Sequence, residues 1–347
     1  MGGGALSDLR IPVGFEEALR PPVDVRRARL TPAVLGKPSS APSGGARGQL
    51  MRVVRGAPEV MVKITGRTRD GGHLGRHLDY ISRNGALVLE GEDGERLAGR
   101  DAVRALAEDW AAELAMEPGR RKDSPVSLSV VLSMPAGTEP HRLHDAARAF
   151  AAATFGGRFP YVFALHDEGR HPHVHLTVRM LGRDGERLNP RKADLQAWRQ
   201  EFARTLRDRG VEAEATPRRA RGVVRKADPI AIRKLRDRFT AGQADMPRVL
   251  ASAWREAVEG SGVPPPWRQA IRSRQLAVRR AFVAEAVALQ KSGDPEDRRF
   301  GAAIERFVRT LPLAETREDL LRRRIEAARD RTLYEQDSGP PTRGRAR

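Results

Sequence analysis

Cysteine is absent from this chain of 347 residues, which excludes disulfides, thiolate metal ligands and a cysteine nucleophile. Aromatic residues make up only 5%, so rings on which unpaired bases can stack are few. Tyrosine is rarer still, with three in the chain. No apolar run approaches the roughly 20 residues of a membrane-spanning helix, and the first residues carry no signal-type apolar core. A cytoplasmic protein without membrane insertion is therefore expected. Acid is short as well: 45 Asp and Glu face 63 Lys and Arg, a net charge of +18. That excess points to a polyanionic partner, most directly nucleic acid.

What is present is concentrated. Four of the eight histidines fall between His166 and His175, at the end of the apolar run Tyr161-Val162-Phe163-Ala164-Leu165. That run reads as a buried strand and His173 to Met180 as a second, with Asp167, Glu168, Gly169 and Arg170 forming the hairpin turn between them. The strand period of two sends His173 and His175 to one face and Val174 into the core. His166 returns to the same neighbourhood across the hairpin, whereas strand parity alone favours His171 as the third member. Three neutral imidazoles with open remaining positions suit a catalytic divalent metal rather than a closed structural site.

The chain divides by composition. Residues 1–55 are rich in Gly, Pro, Arg and Ser and read as a disordered basic arm. Residues 56–225 alternate strands with helices. Strand character is clear at 60–64 and 126–133 as well as in the two histidine strands. A helix is expected after Asn189-Pro190, with Asn189 as cap, Leu195, Trp198, Phe202 and Leu206 buried, and Gly210 at its end. Residues 226–335 read as all helix, in segments near 229–258, 267–291, 295–311 and 314–335. Residues 336–347 form an arginine-rich disordered tail. The expected fold class is α+β: an antiparallel sheet with flanking helices, followed by an all-helical C-terminal region.

Tyr80 sits in the segment from His73 to Gly85. On a helical wheel Leu74, Leu78 and Ile81 share one face, while Tyr80 shares the other with His73, Arg76, His77 and Arg83. Positive charge around a phenol favours its ionised form and attracts phosphate, the two conditions for attack on a phosphodiester.

Leu78-Asp79-Tyr80-Ile81-Ser82-Arg83-Asn84-Gly85, then Leu132-Ser133-Met134-Pro135-Ala136-Gly137-Thr138, then the histidine segment resemble the three ordered motifs of the relaxase/mobilisation nucleases, the HUH endonucleases that include the T-DNA border-nicking branch. The likeness covers about residues 58–222. The resemblance implies a palm-type split βαβ nuclease fold in which Tyr80 is the nucleophile that cleaves one DNA strand and stays on its 5′ phosphate. It implies that His166, His173 and His175 hold a divalent metal, Mg or Mn, at the family's seven- and nine-residue spacing, with His171 beside the site as an orienting or DNA-contacting group. Where the family carries Asp two residues after its first ligand, this chain has Glu168, preceded by Asp167; either acid is a candidate to orient a ligand or accept a proton. The implied partners are single-stranded DNA at an origin of transfer, relaxosome accessory proteins and a secretion coupling protein, with export alongside the DNA.

Arg76, His77, Arg83 and His171, together with the run Arg218, Arg219, Arg221, Arg225 and Lys226, are the expected DNA contacts, binding phosphate with little base discrimination. Two rivals differ in testable ways. In rolling-circle initiators and single-tyrosine transposases the tyrosine follows the histidines, and here the only tyrosine after His175 is the remote Tyr334. A non-catalytic DNA-binding accessory protein with a structural zinc site would bind DNA without nicking it.

Overall fold

The structure, a computed structural model, describes residues 45–117, 119–121, 123–168, 171–216, 221–222, 230–259, 266–312, 319–324 and 327. The chain divides between Pro217 and Arg218 into two compact units.

In the first unit six strands form one sheet in the order β1-β4-β6-β5-β2-β3, every pair antiparallel. They are β1 (Met61–Thr68), β2 (Leu89–Gly91), β3 (Arg96–Leu97), β4 (Ser127–Ser133), β5 (Tyr161–His166) and β6 (His173–Arg179). The helices are α1 (Gly45–Val54), α2 (Gly71–Ile81), α3 (Gly99–Ala115), α4 (Pro140–Phe155) and α5 (Lys192–Arg207). The expected α+β class holds.

Alternation decides the two faces of the sheet. Val62, Leu128, Val130, Leu132, Phe163, Val174, Leu176 and Val178 point to one side, where Phe150 and Phe155 of α4 and Trp198, Phe202 and Leu206 of α5 complete a buried core. The opposite face mixes Val162 and Ala164 with the polar row Ser129, His175 and Thr177, and is covered by Leu74, Leu78 and Ile81 of α2 and Val103 and Trp110 of α3. A face that is only partly apolar leaves room for chemistry, and this is the face that carries the histidines.

The structure corrects several sequence expectations. The range 1–55 includes α1, whose Leu50 and Val53 are buried and whose Arg52 pairs with the buried Glu214 at 2.6 Å. Its apolar positions are too few to stand out against the Gly- and Arg-rich flanks. The part of the arm before residue 45 and the tail 336–347 lie outside the described residues. Helix α5 starts at Lys192 rather than after an Asn189 cap, because the Asp194 carboxylate accepts from the Arg191 backbone N–H at 2.6 Å and fixes the first turn there. A fragment that begins after Val54 leaves Glu214 buried without its arginine. We expect it to be about 3–5 kcal/mol less stable than one beginning at Gly45, measurable by urea denaturation.

Glu90 of β2 binds Arg148 of α4, whose Nη2 donates to it at 2.8 Å. The hydrogen bond from Arg148 holds the Glu90 carboxyl below its ordinary 4.5, against an opposing effect of burial. A depressed carboxyl contributes stability that is present above its unfolded value and is lost as pH falls through the folded one. The Glu90→Gln variant should therefore show a shallower loss of Tm on acidification below about pH 4.5 than the parent.

The second unit is helical: α6 (Ile230–Thr240), α7 (Arg248–Glu259), α8 (Pro266–Gln290) and α9 (Pro295–Thr310). The stretch 229–258, read as one segment, is two helices, broken where Gly242 takes a φ of 71°. Helix α9 begins as expected, with Asp294 capping the Glu296 N–H at 2.8 Å and Pro295 in the first turn. The α8–α9 pair meets through Phe282 and Phe307, rings 5.4 Å apart, and Gly301 admits the Ala286 carbonyl where a Cβ would come within 2.7 Å of it. Most of 314–335 lies outside the described residues. Among the described residues no helix is long and apolar enough to cross a membrane.

Candidate active site

The β5–β6 hairpin places His166 directly opposite His173, and His175 follows two residues along β6. Opposed residues of an antiparallel pair share a face, so all three imidazoles project from the same side of the sheet. Their ring centroids are 4.5 to 5.3 Å apart, and one nitrogen from each ring lies within 4.8 Å of the others. The β6 ladder starts at His173, so His171 lies before the strand and the parity argument does not extend to it. Its exposed side chain is not part of the cluster.

Two hydrogen bonds settle which nitrogens are free. The Nε2 of His166 lies 2.7 Å from the Ile81 carbonyl oxygen, which can only accept, so this nitrogen carries the proton and Nδ1 keeps its lone pair. The Nδ1 of His173 likewise donates to the His171 carbonyl at 3.0 Å, leaving Nε2 free. Backbone carbonyls that fix the tautomer of a histidine are the usual outer support of a metal ligand. The donor set therefore fits a divalent ion bound by neutral nitrogen. Burial, with help from the neighbouring histidines, pushes His175 down to about 3, and burial also lowers His166. His175 is therefore neutral and ready to ligate across the physiological range.

Tyr80 ends the same arrangement. Helix α2 buries Leu74, Leu78 and Ile81 and leaves Tyr80 65% exposed, as the wheel predicts. Its ring stands edge-on to His175 with centroids 5.7 Å apart. The residues after it form a tight reversal: Ser82 N–H donates to the Leu78 carbonyl, Asn84 N–H to the Asp79 carbonyl at 2.7 Å, and Arg83 and Asn84 have φ of 51° and 55°. Gly85 follows at φ 85°, and a Cβ there would lie 2.4 Å from the Arg100 backbone nitrogen. The glycine of the motif is thus required by sterics. Gly85→Ala should destabilise the fold by about 2 kcal/mol or more, read as a lowered urea midpoint, because neither the φ nor the contact can be relieved locally.

The segment Leu132 to Thr138 supports the histidine hairpin from the next strand. Ser133 pairs with His173 in the ladder, its hydroxyl donates to the Pro172 carbonyl at 3.3 Å, and the Met134 N–H reaches the same carbonyl at 3.4 Å. The second motif therefore sets where the ligand-bearing strand begins.

Other predicted site residues are placed as follows. Arg83 forms an ion pair with Glu168 at 2.9 Å, joining the loop after Tyr80 to the hairpin. Both partners are solvent-exposed, so the pair is a weak tether. Asp167 is exposed beside it. His77 turns toward the sheet rather than the basic face around Tyr80, with Nε2 2.9 Å from both the Ser129 and Thr177 hydroxyls. Burial lowers its pKa, with His73 adding to the effect. Arg76 is exposed, one turn before Tyr80. Arg221 is half-buried in the second unit, whereas Arg218, Arg219, Arg225 and Lys226 lie outside the described residues. Sequence reasoning missed Ser129, Thr177 and the Ile81 and His171 carbonyls. The two hydroxyls belong to residues directly opposed across β4 and β6, a pairing legible only once that register is known.

Residues 80–211, the segment from Tyr80 through the three histidines, match the relaxase nuclease domain described as MobA/VirD2-like. The resemblance carried by the three motifs is borne out for the segment holding Tyr80 and all three histidines. Individual relatives agree. The T-DNA border endonuclease VirD2 of Rhizobium radiobacter is 27% identical over 202 residues, covering 53% of this chain and 47% of that protein. The protein of the same name from Agrobacterium fabrum is 27% identical over 187 residues, covering 48% and 42%. The chain thus spans about half the length of the curated relatives it matches. A solved structure described as "Molecular Basis of Vancomycin Resistance Transfer in Staphylococcus aureus" overlaps 46% of this chain and 99% of that one, at a TM-score of 0.31 and 15% identity.

Proposed function

We propose that the chain is a DNA relaxase, a site- and strand-specific endonuclease that nicks one strand at an origin of transfer through Tyr80. The observation that carries this reading is the Tyr80 ring set 5.7 Å from His175, within a cluster of three convergent imidazoles. His166, through Nδ1, and His173, through Nε2, would hold a divalent ion together with His175. When bound, such an ion, Mg or Mn, supplies charge stabilisation to a non-bridging oxygen of the scissile phosphate.

The remaining chemistry belongs to the chain. The Tyr80 hydroxyl gives up its proton, its oxygen forms a bond to phosphorus, and the bond to the 3′ oxygen breaks. The 3′ oxygen leaves and takes up a proton, and the 5′ phosphate remains on the tyrosine as an ester. No water is consumed, so a positioned 3′ hydroxyl can reverse the step and reseal the strand. Asp167 and Glu168, in the connection between β5 and β6, are the candidate proton acceptors. The ion pair with Arg83 ties Glu168, and with it one side of the hairpin, to the loop after Tyr80. Arg76, Arg83 and His171 would contact the strand, joined by the basic run Arg218 to Lys226. The Ser129 and Thr177 bonds to His77 hold α2 on the sheet, so Tyr80 meets the phosphate in a fixed orientation.

In this reading residues 56–225, extended at the start by α1, form the nuclease region. The helical region 226–335 and the tail 336–347 would serve relaxosome accessory proteins or a secretion coupling protein, for conjugative transfer from the cytoplasm.

The test is an SDS-stable adduct assay on single-stranded DNA from the region bordering the protein's own reading frame. An adduct formed with Mg or Mn and lost in EDTA supports the relaxase. DNA binding without any adduct in either metal favours the non-catalytic accessory protein.

A further inference from the structure

Helices α2 and α3 approach closely because α2 presents glycine where they meet: a Cβ on Gly71 would lie 2.8 Å from the Ala111 Cβ, and one on Gly75 3.9 Å from the Ala107 Cβ. The close approach leaves an open groove of about 430 Å³ along the helix pair, lined among others by Gly72, Arg76, Asp79, Asn84, Arg100 and Arg104. Three arginines face one aspartate there. The three side chains are exposed, and among the described residues none of them forms an ion pair; Arg100 donates only to the Asn84 carbonyl, at 3.1 Å. Some arginines of this unit are matched to acids, as Arg52 is to Glu214, Arg148 to Glu90 and Arg183 to Glu92; the three that line this groove are not. Converging guanidinium groups without counter-charges repel one another and make a site for an anion. Guanidinium is also the side chain best shaped for phosphate.

The groove lining reaches Asp79, the residue before Tyr80. Arg76 is four residues before Tyr80 on α2, so the two occupy one helical stripe with Cβ atoms roughly 5–6 Å apart. Asp79 and Asn84, which line the groove, flank Tyr80 and the loop that follows it.

We infer that the groove between α2 and α3 binds the phosphodiester backbone of the single strand as it leaves the Tyr80 site, with Arg100 and Arg104 as phosphate contacts alongside Arg76. This inference rests on the relaxase reading for its ligand. The lining has no aromatic side chain to stack a base, so it tracks the backbone without selecting sequence. It lies wholly within the first unit, whereas the basic run follows Pro217 in the second.

The test uses the full chain and a fluorescein-labelled 30-nucleotide oligothymidylate, with Kd measured by anisotropy across a salt series. Each phosphate of the single strand that is deprived of its arginine should reduce the slope of log Kd against log salt by about 0.7, equivalent to about fivefold weaker binding at 0.1 M relative to 1 M salt. Arg104→Gln should show one such step and the Arg100→Gln, Arg104→Gln pair two. Arg104 has no hydrogen-bond partner among the described residues, so its variant should fold as the parent does; Arg100 braces the loop after Tyr80, and its single variant is read only beside an unchanged melting curve. A parent that forms the Tyr80 adduct while both variants keep its slope and affinity overturns the groove but leaves the relaxase intact. That outcome would hand the groove to an acidic protein segment. A parent that binds the oligonucleotide with the expected slope decrease in both variants, yet forms no adduct, upholds the groove and sinks the relaxase reading.

Discussion

Tyr80→Phe is expected to abolish the covalent DNA adduct, by a factor on the order of 10⁴ or more, while leaving fold and DNA affinity nearly unchanged. The large effect follows from the chemistry, because phenylalanine offers no atom to bond to phosphorus. The small structural effect follows from the surroundings. The ring is 65% exposed, and the hydroxyl makes no hydrogen bond among the described residues. Its contact with His175 is edge-on, through the ring, and survives the substitution. Stability should change by less than about 0.5 kcal/mol. Thermal melting and oligonucleotide anisotropy check that the variant is folded and binds, so that a missing adduct reports the hydroxyl alone.

The second large effect concerns the imidazoles. His166→Ala and His175→Ala should each weaken Mn binding by more than about 100-fold, measured by calorimetric titration, and take nicking with it. His166→Ala carries an additional cost. It leaves the Ile81 carbonyl without its buried donor, worth about 1–3 kcal/mol of stability. His171→Ala should be mild, within about threefold, because the contribution of residue 171 to the cluster is its backbone carbonyl, which alanine also has. Equal losses for His171→Ala and His166→Ala would show that the metal sits on the other trio. Acid should not be what limits His175: with a pKa near 3 it stays neutral, and its share of metal binding should persist unchanged from pH 8 down to pH 5.

Much of the site was legible because it rests on short-range rules. The period-two pattern placed His173 and His175 together, and the wheel put Leu74, Leu78 and Ile81 inward and Tyr80 outward. The strands β1, β4, β5 and β6 announced themselves by dense β-branched and aromatic runs. Strands β2 and β3 did not: Leu89–Gly91 and Arg96–Leu97 are too short for any period to register, and only pairing with β5 makes the first a strand. The wheel also assigned His77 to the basic face with Tyr80. A wheel cannot see that Ser129 and Thr177 wait beneath it on two strands more than 50 residues away in sequence. Parity misled at His171 for a related reason, since it holds only inside a ladder and the ladder begins at His173. The α2–α3 groove was invisible for the same cause: Arg76 and Arg100 are remote in sequence, and only the packing of Gly71 and Gly75 on α3 brings them to one surface.

The central claim is a covalent bond between Tyr80 and DNA, and tryptic digestion separates the three tyrosines cleanly. Cleavage after Arg76 and Arg83 yields residues 77–83 with Tyr80, while Tyr161 and Tyr334 fall in other peptides. The adduct formed with Mn, trimmed by nuclease and analysed by tandem mass spectrometry, should place the nucleotide mass on residues 77–83 alone. A nucleotide mass on the peptide carrying Tyr161 or Tyr334, with residues 77–83 unmodified, would contradict the account.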